Sequence, residues 1–124
     1  MAREPTRFDI PGIQEQLRVF SAERDWEQFH SPKNLAMALA VEVAELLEIF
    51  QWLSEAQSRA LSEDDLLQAK EEIADIQILL LRIADVLGVS IPEVVTAKIE
   101  TNAQKYPVDL AKGNATKATR RKQG

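Results

Sequence analysis

Two short acidic patterns, Glu42-Val43-Ala44-Glu45 and Glu72-Ile73-Ala74-Asp75, are the residues of this sequence best suited to chemistry. Both are i, i+3 pairs, and on a helix such a pair leaves from one face with Cβ atoms roughly 5–6 Å apart. Glu45 lies eight residues before Leu53, and Glu72 lies nine after Glu63. At 1.5 Å rise per residue these are about 12 and about 13.5 Å from the loop-side ends of two consecutive helices. If those helices run antiparallel, Glu45 faces Glu72 and Glu42 faces Asp75, a square of four carboxylates. Two unit charges about 6 Å apart at an effective dielectric near 20 repel by roughly 3 kcal/mol. Several such pairs would consume a stability of about 5–15 kcal/mol. The square must therefore take up protons, open to water or be neutralised by cations. Oxygen-only donors select hard ions: Mg²⁺ is the expected one, with Mn²⁺ as the alternative. The ordinary explanation for one such pair is a solvated acidic helix face.

The elements that must position these groups are helices, because helical periodicity dominates and no segment alternates as a strand does. Asp9 with Pro11 opens a first helix carrying Ile13, Leu17 and Phe20 at i, i+4, i+7, which ends near Asp25. After an aromatic loop, Trp26-Glu27-Gln28-Phe29-His30, Ser31 and Pro32 start a second helix that runs to about Leu53. Ser62 with Asp65 starts a third, stopped by Gly88. Ser90-Ile91-Pro92-Glu93 has the capping-box pattern and starts a fourth, ending at Tyr106-Pro107. The second and third helices are apolar over most of their circumference. Glu42, Glu45, Glu48 and Gln51 are the only polar residues from Leu35 to Leu53, and Asp75, Gln77, Arg82 and Asp85 the only ones from Ile73 to Leu87. Helices of this kind must be covered on several sides. One chain supplies too few partners, so self-association into a dimer or tetramer is expected.

Composition narrows the chemistry. The 124 residues suit one small domain. With no Cys there are no disulfides, thiolate metal sites or cysteine nucleophiles, and the single His30 excludes His-rich metal sites. No 18-residue apolar run occurs, and Met-Ala-Arg-Glu-Pro at the start lacks a signal-peptide core, so the expected place is the cytoplasm, away from membranes. Residues 108–124 hold Lys112, Lys117, Arg120, Arg121 and Lys122 against Asp109, which leaves the rest of the chain at −9 within a total of −5. So acidic a body repels phosphate backbones, and stable nucleic-acid binding is not expected. The small, polar, basic tail is expected to be disordered.

Glu-x-x-Glu, then 26 residues, then Glu-x-x-Asp on two helices resembles the MazG-type all-α nucleoside triphosphate pyrophosphohydrolases. Within them the likeness is to the dCTP pyrophosphatase branch, through Glu23-Arg24-Asp25-Trp26-Glu27-Gln28-Phe29-His30, Pro32-Lys33-Asn34-Leu35, Phe50-Gln51-Trp52 and Lys98…Asn102…Lys105-Tyr106-Pro107. It covers roughly residues 10–107. The resemblance implies a four-helix MazG-like bundle with two long antiparallel central helices, completed by oligomerisation as a homotetramer. The domain would span residues 1–107, followed by the tail. It also implies hydrolysis of a nucleoside triphosphate between its α and β phosphorus atoms, with Glu42, Glu45, Glu72 and Asp75 as Mg²⁺ ligands. Glu48, one i+3 step beyond Glu45, either orients the attacking water or accepts its proton, or is a solvated edge residue.

By the same resemblance, Trp26, Phe29, His30 and Trp52 help form the nucleotide pocket, where aromatic faces stack on a base. Read from the residues alone, Trp26 and Phe29 anchor a loop and His30 caps a helix. Trp26 and Trp52 are far apart along the helix, which points to a pocket completed by another subunit. Lys98, Asn102 and Lys105 form one polar stripe suited to departing phosphates or to plain solvation. Arg82 pairs with Asp75 or Asp85, or reaches a phosphate. The branch carries Tyr where this chain has Leu79 and His where it has Leu17, so two groups able to read a base edge are apolar here, which should blunt discrimination. The expected substrate is dCTP or a modified dCTP, cleared from the nucleotide pool. The rivals are a relative acting on dUTP or another nucleotide, and a non-catalytic helical module that keeps the acidic pairs as a structural metal clip.

Overall fold

A computed structural model describes residues 7–118, so the N-terminal Met-Ala-Arg-Glu-Pro and Arg120, Arg121 and Lys122 of the tail lie outside the described residues. Two compact units divide between Val89 and Ser90. The first holds α1 (Ile10–Glu23), a 3₁₀ turn (Glu27–Phe29), α2 (Pro32–Phe50), a short α3 (Glu55–Ser58) and α4 (Glu63–Leu87). The second holds α5 (Ile91–Lys105) and α6 (Val108–Ala111). All regular structure among the described residues is helical.

Each long helix of the first unit begins where a short polar side chain takes up an otherwise unpaired N–H. The Asp9, Ser31 and Ser62 side chains accept from the amides of Gly12, Asn34 and Asp65, each at 3.1 Å. Pro32 follows Ser31 at the first turn of α2, where its missing N–H costs nothing. The Ser90 hydroxyl, expected to complete a capping box, makes no cap bond at α5. The reciprocal box forms instead at Ser54 and Gln57, opening α3 in the connection between the two long helices. Val108–Ala111, at the start of the stretch expected to be disordered, form a helical turn, with the Ala111 N–H bonded to the Pro107 carbonyl at 2.9 Å.

In the first unit α2 packs along α4, and α1 adds a smaller contact with α4. The pairing is antiparallel: Leu35, near the start of α2, shares a cavity with Ile78 and Leu79 toward the end of α4. The fully apolar interior is thin. Leu35, Ala69, Leu81 and Ala84 are buried, whereas Met37, Val41, Val43 and Leu47 of α2 and Leu67 and Ile73 of α4 are exposed in the single chain. Among the described residues no helix is long and apolar enough to cross a membrane.

The chain leaves α4 through Gly88 at φ 69°, and the Val89 N–H reaches back to the Ala84 carbonyl at 2.8 Å. An added Cβ at Gly88 meets nothing within 4 Å, so only the left-handed backbone penalises a side chain there. Gly88→Ala is expected to destabilise the fold by about 1 kcal/mol, read as a lower urea midpoint with an unchanged slope.

Candidate active site

Glu42 and Glu45 of α2 and Glu72 of α4 each place a carboxylate oxygen within 4.8 Å of the others. Three of the four carboxylates of the expected square are gathered here. Asp75 is exposed and is not among the gathered carboxylates, and Glu72 stands against both Glu42 and Glu45. The short α3 (Glu55–Ser58) lies in the connection between the two long helices. Glu48 is exposed and also outside the cluster.

Glu72 is buried and Glu42 half-buried, and one oxygen of each, Oε2, has no hydrogen-bond partner. Buried carboxylate oxygens without donors are costly unless a proton or a cation supplies the missing charge. Hydrogen bonding to Glu42 raises the Glu72 carboxyl first, with help from burial and from the charges of Glu45 and Glu42, to a pKa of about 7. The same donor set, oxygen only, partly buried and drawn from two helices, fits a hard divalent cation.

A cavity of about 440 Å³ opens near one end of the α2–α4 pair. Leu17 and Phe20 of α1, Trp26 of the loop, Leu35 of α2 and Leu79 of α4 give it apolar walls. Ser21, His30 and Arg82 add a few polar groups, the usual mixture for a small-molecule site. Phe20 and Trp26 meet edge to face at 5.6 Å, and the Arg24 guanidinium covers the Phe20 ring at 3.6 Å. Seven residues separate Leu35 from Glu42 and Glu72 from Leu79. Aromatic cavity and carboxylates are thus roughly 10 Å apart along either helix.

Comparison with known proteins bears on this pairing. Residues 37–120 match the MazG-like family. The chain belongs to that family. It is 44% identical over 118 residues to dCTP pyrophosphatase 1 of Rattus norvegicus and 39% identical to that of Homo sapiens, in each case over 94% of this chain and 68% of the relative. The crystal structure of a pyrophosphatase from Archaeoglobus fulgidus superposes with a TM-score of 0.76 at 39% identity, over 86% of this chain and 99% of that one.

In this MazG-like chain the remaining candidate residues have different settings. Trp26 and His30 line the cavity, whereas Phe29 is 58% exposed and Trp52 86% exposed, both outside it. Lys98, Asn102 and Lys105 are exposed on α5 in the second unit. Arg82 takes the ion pair with Asp85 rather than Asp75, Nη1 to Oδ2 at 3.4 Å, and its Nε also donates to His30 Nδ1 at 3.1 Å. That bond joins residues 52 apart in sequence, and no local pattern announces it. Ser21, buried at 3% exposure, was also not singled out by pattern; its only sequence signal is its i+4 spacing from Leu17.

Glu72 makes stability pH-dependent in a definite direction. The folded chain keeps on Glu72 a proton that the unfolded chain releases near 4.5. Between there and about 7 the folded state binds more protons, so the contribution of Glu72 to stability falls as pH rises through that window. In chelator, the melting temperature should fall between pH 5 and pH 8, and less steeply in Glu72→Gln. Parallel profiles would remove Glu72 as the source.

Proposed function

We propose that this chain hydrolyses a nucleoside triphosphate between the α and β phosphorus atoms, in a Mg²⁺-dependent reaction yielding monophosphate and pyrophosphate. Its kinship with the named pyrophosphatases makes it a nucleotide pyrophosphohydrolase. The substrate we assign is dCTP or a modified dCTP, and the role is clearing such triphosphates from the cytoplasmic pool. One observation carries this: three carboxylates converge on the same two helices that wall an aromatic cavity, about two helical turns away. Such an interval suits a ligand with a flat apolar base at one end and a polyanion at the other.

A divalent ion at the cluster would offset phosphate charge and activate a water as nucleophile at neutral pH. The residues assigned to hold it are Glu42, Glu45 and Glu72, with Asp75 as a fourth ligand. Glu48 is assigned to orient the attacking water or accept its proton. Trp26 and His30, with Phe29 beside them, receive the base, and Lys98, Asn102 and Lys105 meet the departing phosphates. The exposed apolar residues of α2 and α4 support a homo-oligomer, a tetramer in this reading, with Trp52 serving a neighbouring copy. The activity belongs to residues 1–107, with 108–124 as an appended basic tail. Leu17 and Leu79 favour a second reading at the level of the base: these two positions carry no polar atom with which to tell cytosine from uracil, so dUTP is the alternative substrate.

Incubation with a panel of nucleotides, with and without Mg²⁺, should release pyrophosphate and monophosphate only with the metal present. Orthophosphate as first product would overturn the assigned bond, and no release from any nucleotide would favour a non-catalytic bundle. Glu45→Gln is expected to lower turnover at least about a hundredfold, in the range of losses seen when charge stabilisation is removed from an active site, with unchanged helical circular dichroism. Wild-type turnover by that variant would exclude Glu45.

Leu79→Tyr returns a polar group to the cavity wall and should raise kcat/KM for dCTP relative to dUTP and dTTP. An unchanged ranking would show that Leu79 does not meet the base.

A further inference from the structure

Arg82 is a charged side chain in an unusual place. It lies on α4 at 8% exposure beside the aromatic cavity, and the reaction assigned above gives it no task. A guanidinium has only donors and does not lose its proton. Its Nη1 donates to Asp85, and Asp85 Oδ1 is held in turn by Arg18 Nη1 at 2.7 Å. The guanidinium is thereby fixed from one side while its Nε points at His30 Nδ1, 3.1 Å away. A donor that never becomes an acceptor obliges Nδ1 to accept. The imidazole proton must then sit on Nε2, and a doubly protonated ring would break the contact.

We propose that Arg82 is a positioning residue that keeps the His30 proton on Nε2, so that His30 offers one hydrogen-bond donor to an acceptor atom of the nucleobase in the cavity. This rests on reading the cavity as the base pocket. Leu17, Leu35 and Leu79 contribute no donors; besides His30 and Arg82, the donors in the lining are the Gln16 amide, the Ser21 hydroxyl and the Trp26 ring N–H. On balance the surroundings of His30 favour the neutral ring. Burial and then Arg82 hold it below its ordinary value, and Glu27 of the 3₁₀ turn opposes them more weakly. Among the described residues no other hydrogen bond uses the ring. A ring with one committed nitrogen presents a donor and nothing else, so an acceptor on the base is welcomed and a donor is rejected.

His30 is the only histidine of the chain, so its ring nitrogens are observed without assignment. Long-range ¹H–¹⁵N correlation on the full chain labelled with ¹⁵N-histidine should show the Nε2–H tautomer at pH 7, and dCMP should shift its signals saturably. The Nδ1–H form, or signals that dCMP leaves unmoved, would overturn the proposal without any variant having to fold. Arg82→Met keeps most of the aliphatic stem. It should mix the tautomers, raise the His30 titration midpoint, and raise KM for dCTP about three- to tenfold, the range for one lost hydrogen bond, with kcat within about twofold. His30→Ala should raise KM alike, and Arg82→Met should then add nothing. Additive losses would show that Arg82 acts without His30 and would refute the idea. Binding of dCMP at His30 without turnover of any triphosphate would fail the functional assignment alone. Turnover with a silent His30 would fail this inference alone.

Discussion

Like charges cannot be pressed together inside a helix pair unless something of opposite sign is supplied. That constraint governs this molecule. Glu42, Glu45 and Glu72 lie within 4.8 Å of one another between two helices that are otherwise largely apolar, and two of their buried oxygens have no donor. The protein by itself answers with a proton, which is why the Glu72 carboxyl titrates near 7 instead of in the usual carboxylate range. A proton is a small, exchangeable remedy. A hard cation would compete for the same oxygens and satisfy more of them at once, so the frustration that raises the Glu72 carboxyl is also what suits the cluster to such an ion.

The rest of the first unit holds that arrangement in place. Caps at Ser31 and Ser62 set where α2 and α4 begin, and packing of α2 along α4 sets which turns meet. The aromatic loop is tied down at several points: the Trp26 amide bonds to the Ser21 carbonyl at 2.9 Å, and the Asn34 side chain holds the Phe29 carbonyl at 3.1 Å. Asp25 accepts a left-handed backbone, φ 53°, where the chain turns from α1 into that loop. Cavity and cluster are thus built by neighbouring stretches of the same two helices, which keeps their spacing constant.

Most of this was legible in the sequence, for physical reasons that differ by feature. Helix limits followed from the chemistry of single residues, Asp9, Ser31, Ser62 and Gly88, whose effects are local. The acidic face was legible because an i, i+3 pair repeats the helix period. Which carboxylates of the two pairs come closest was not, since the facing of two helices depends on how they pack: Glu42, Glu45 and Glu72 gather within 4.8 Å, and Asp75 is not in that group. Ser90 misled in the other direction: the Ser-x-x-Glu pattern permits a capping bond without obliging the hydroxyl to make it. The Arg82–His30 contact was invisible, because only the packed structure brings α4 to the loop before α2.

The cavity draws its walls from α1, the aromatic loop and the far turns of α2 and α4, whereas the acidic centre uses the middle turns of the same two helices. Leu17, Trp26 and Leu79 can therefore change without replacing any of the gathered carboxylates. Under the assignment proposed above, an architecture divided in this way would let a lineage exchange one nucleotide for another by altering the cavity walls alone, without rebuilding the acidic centre.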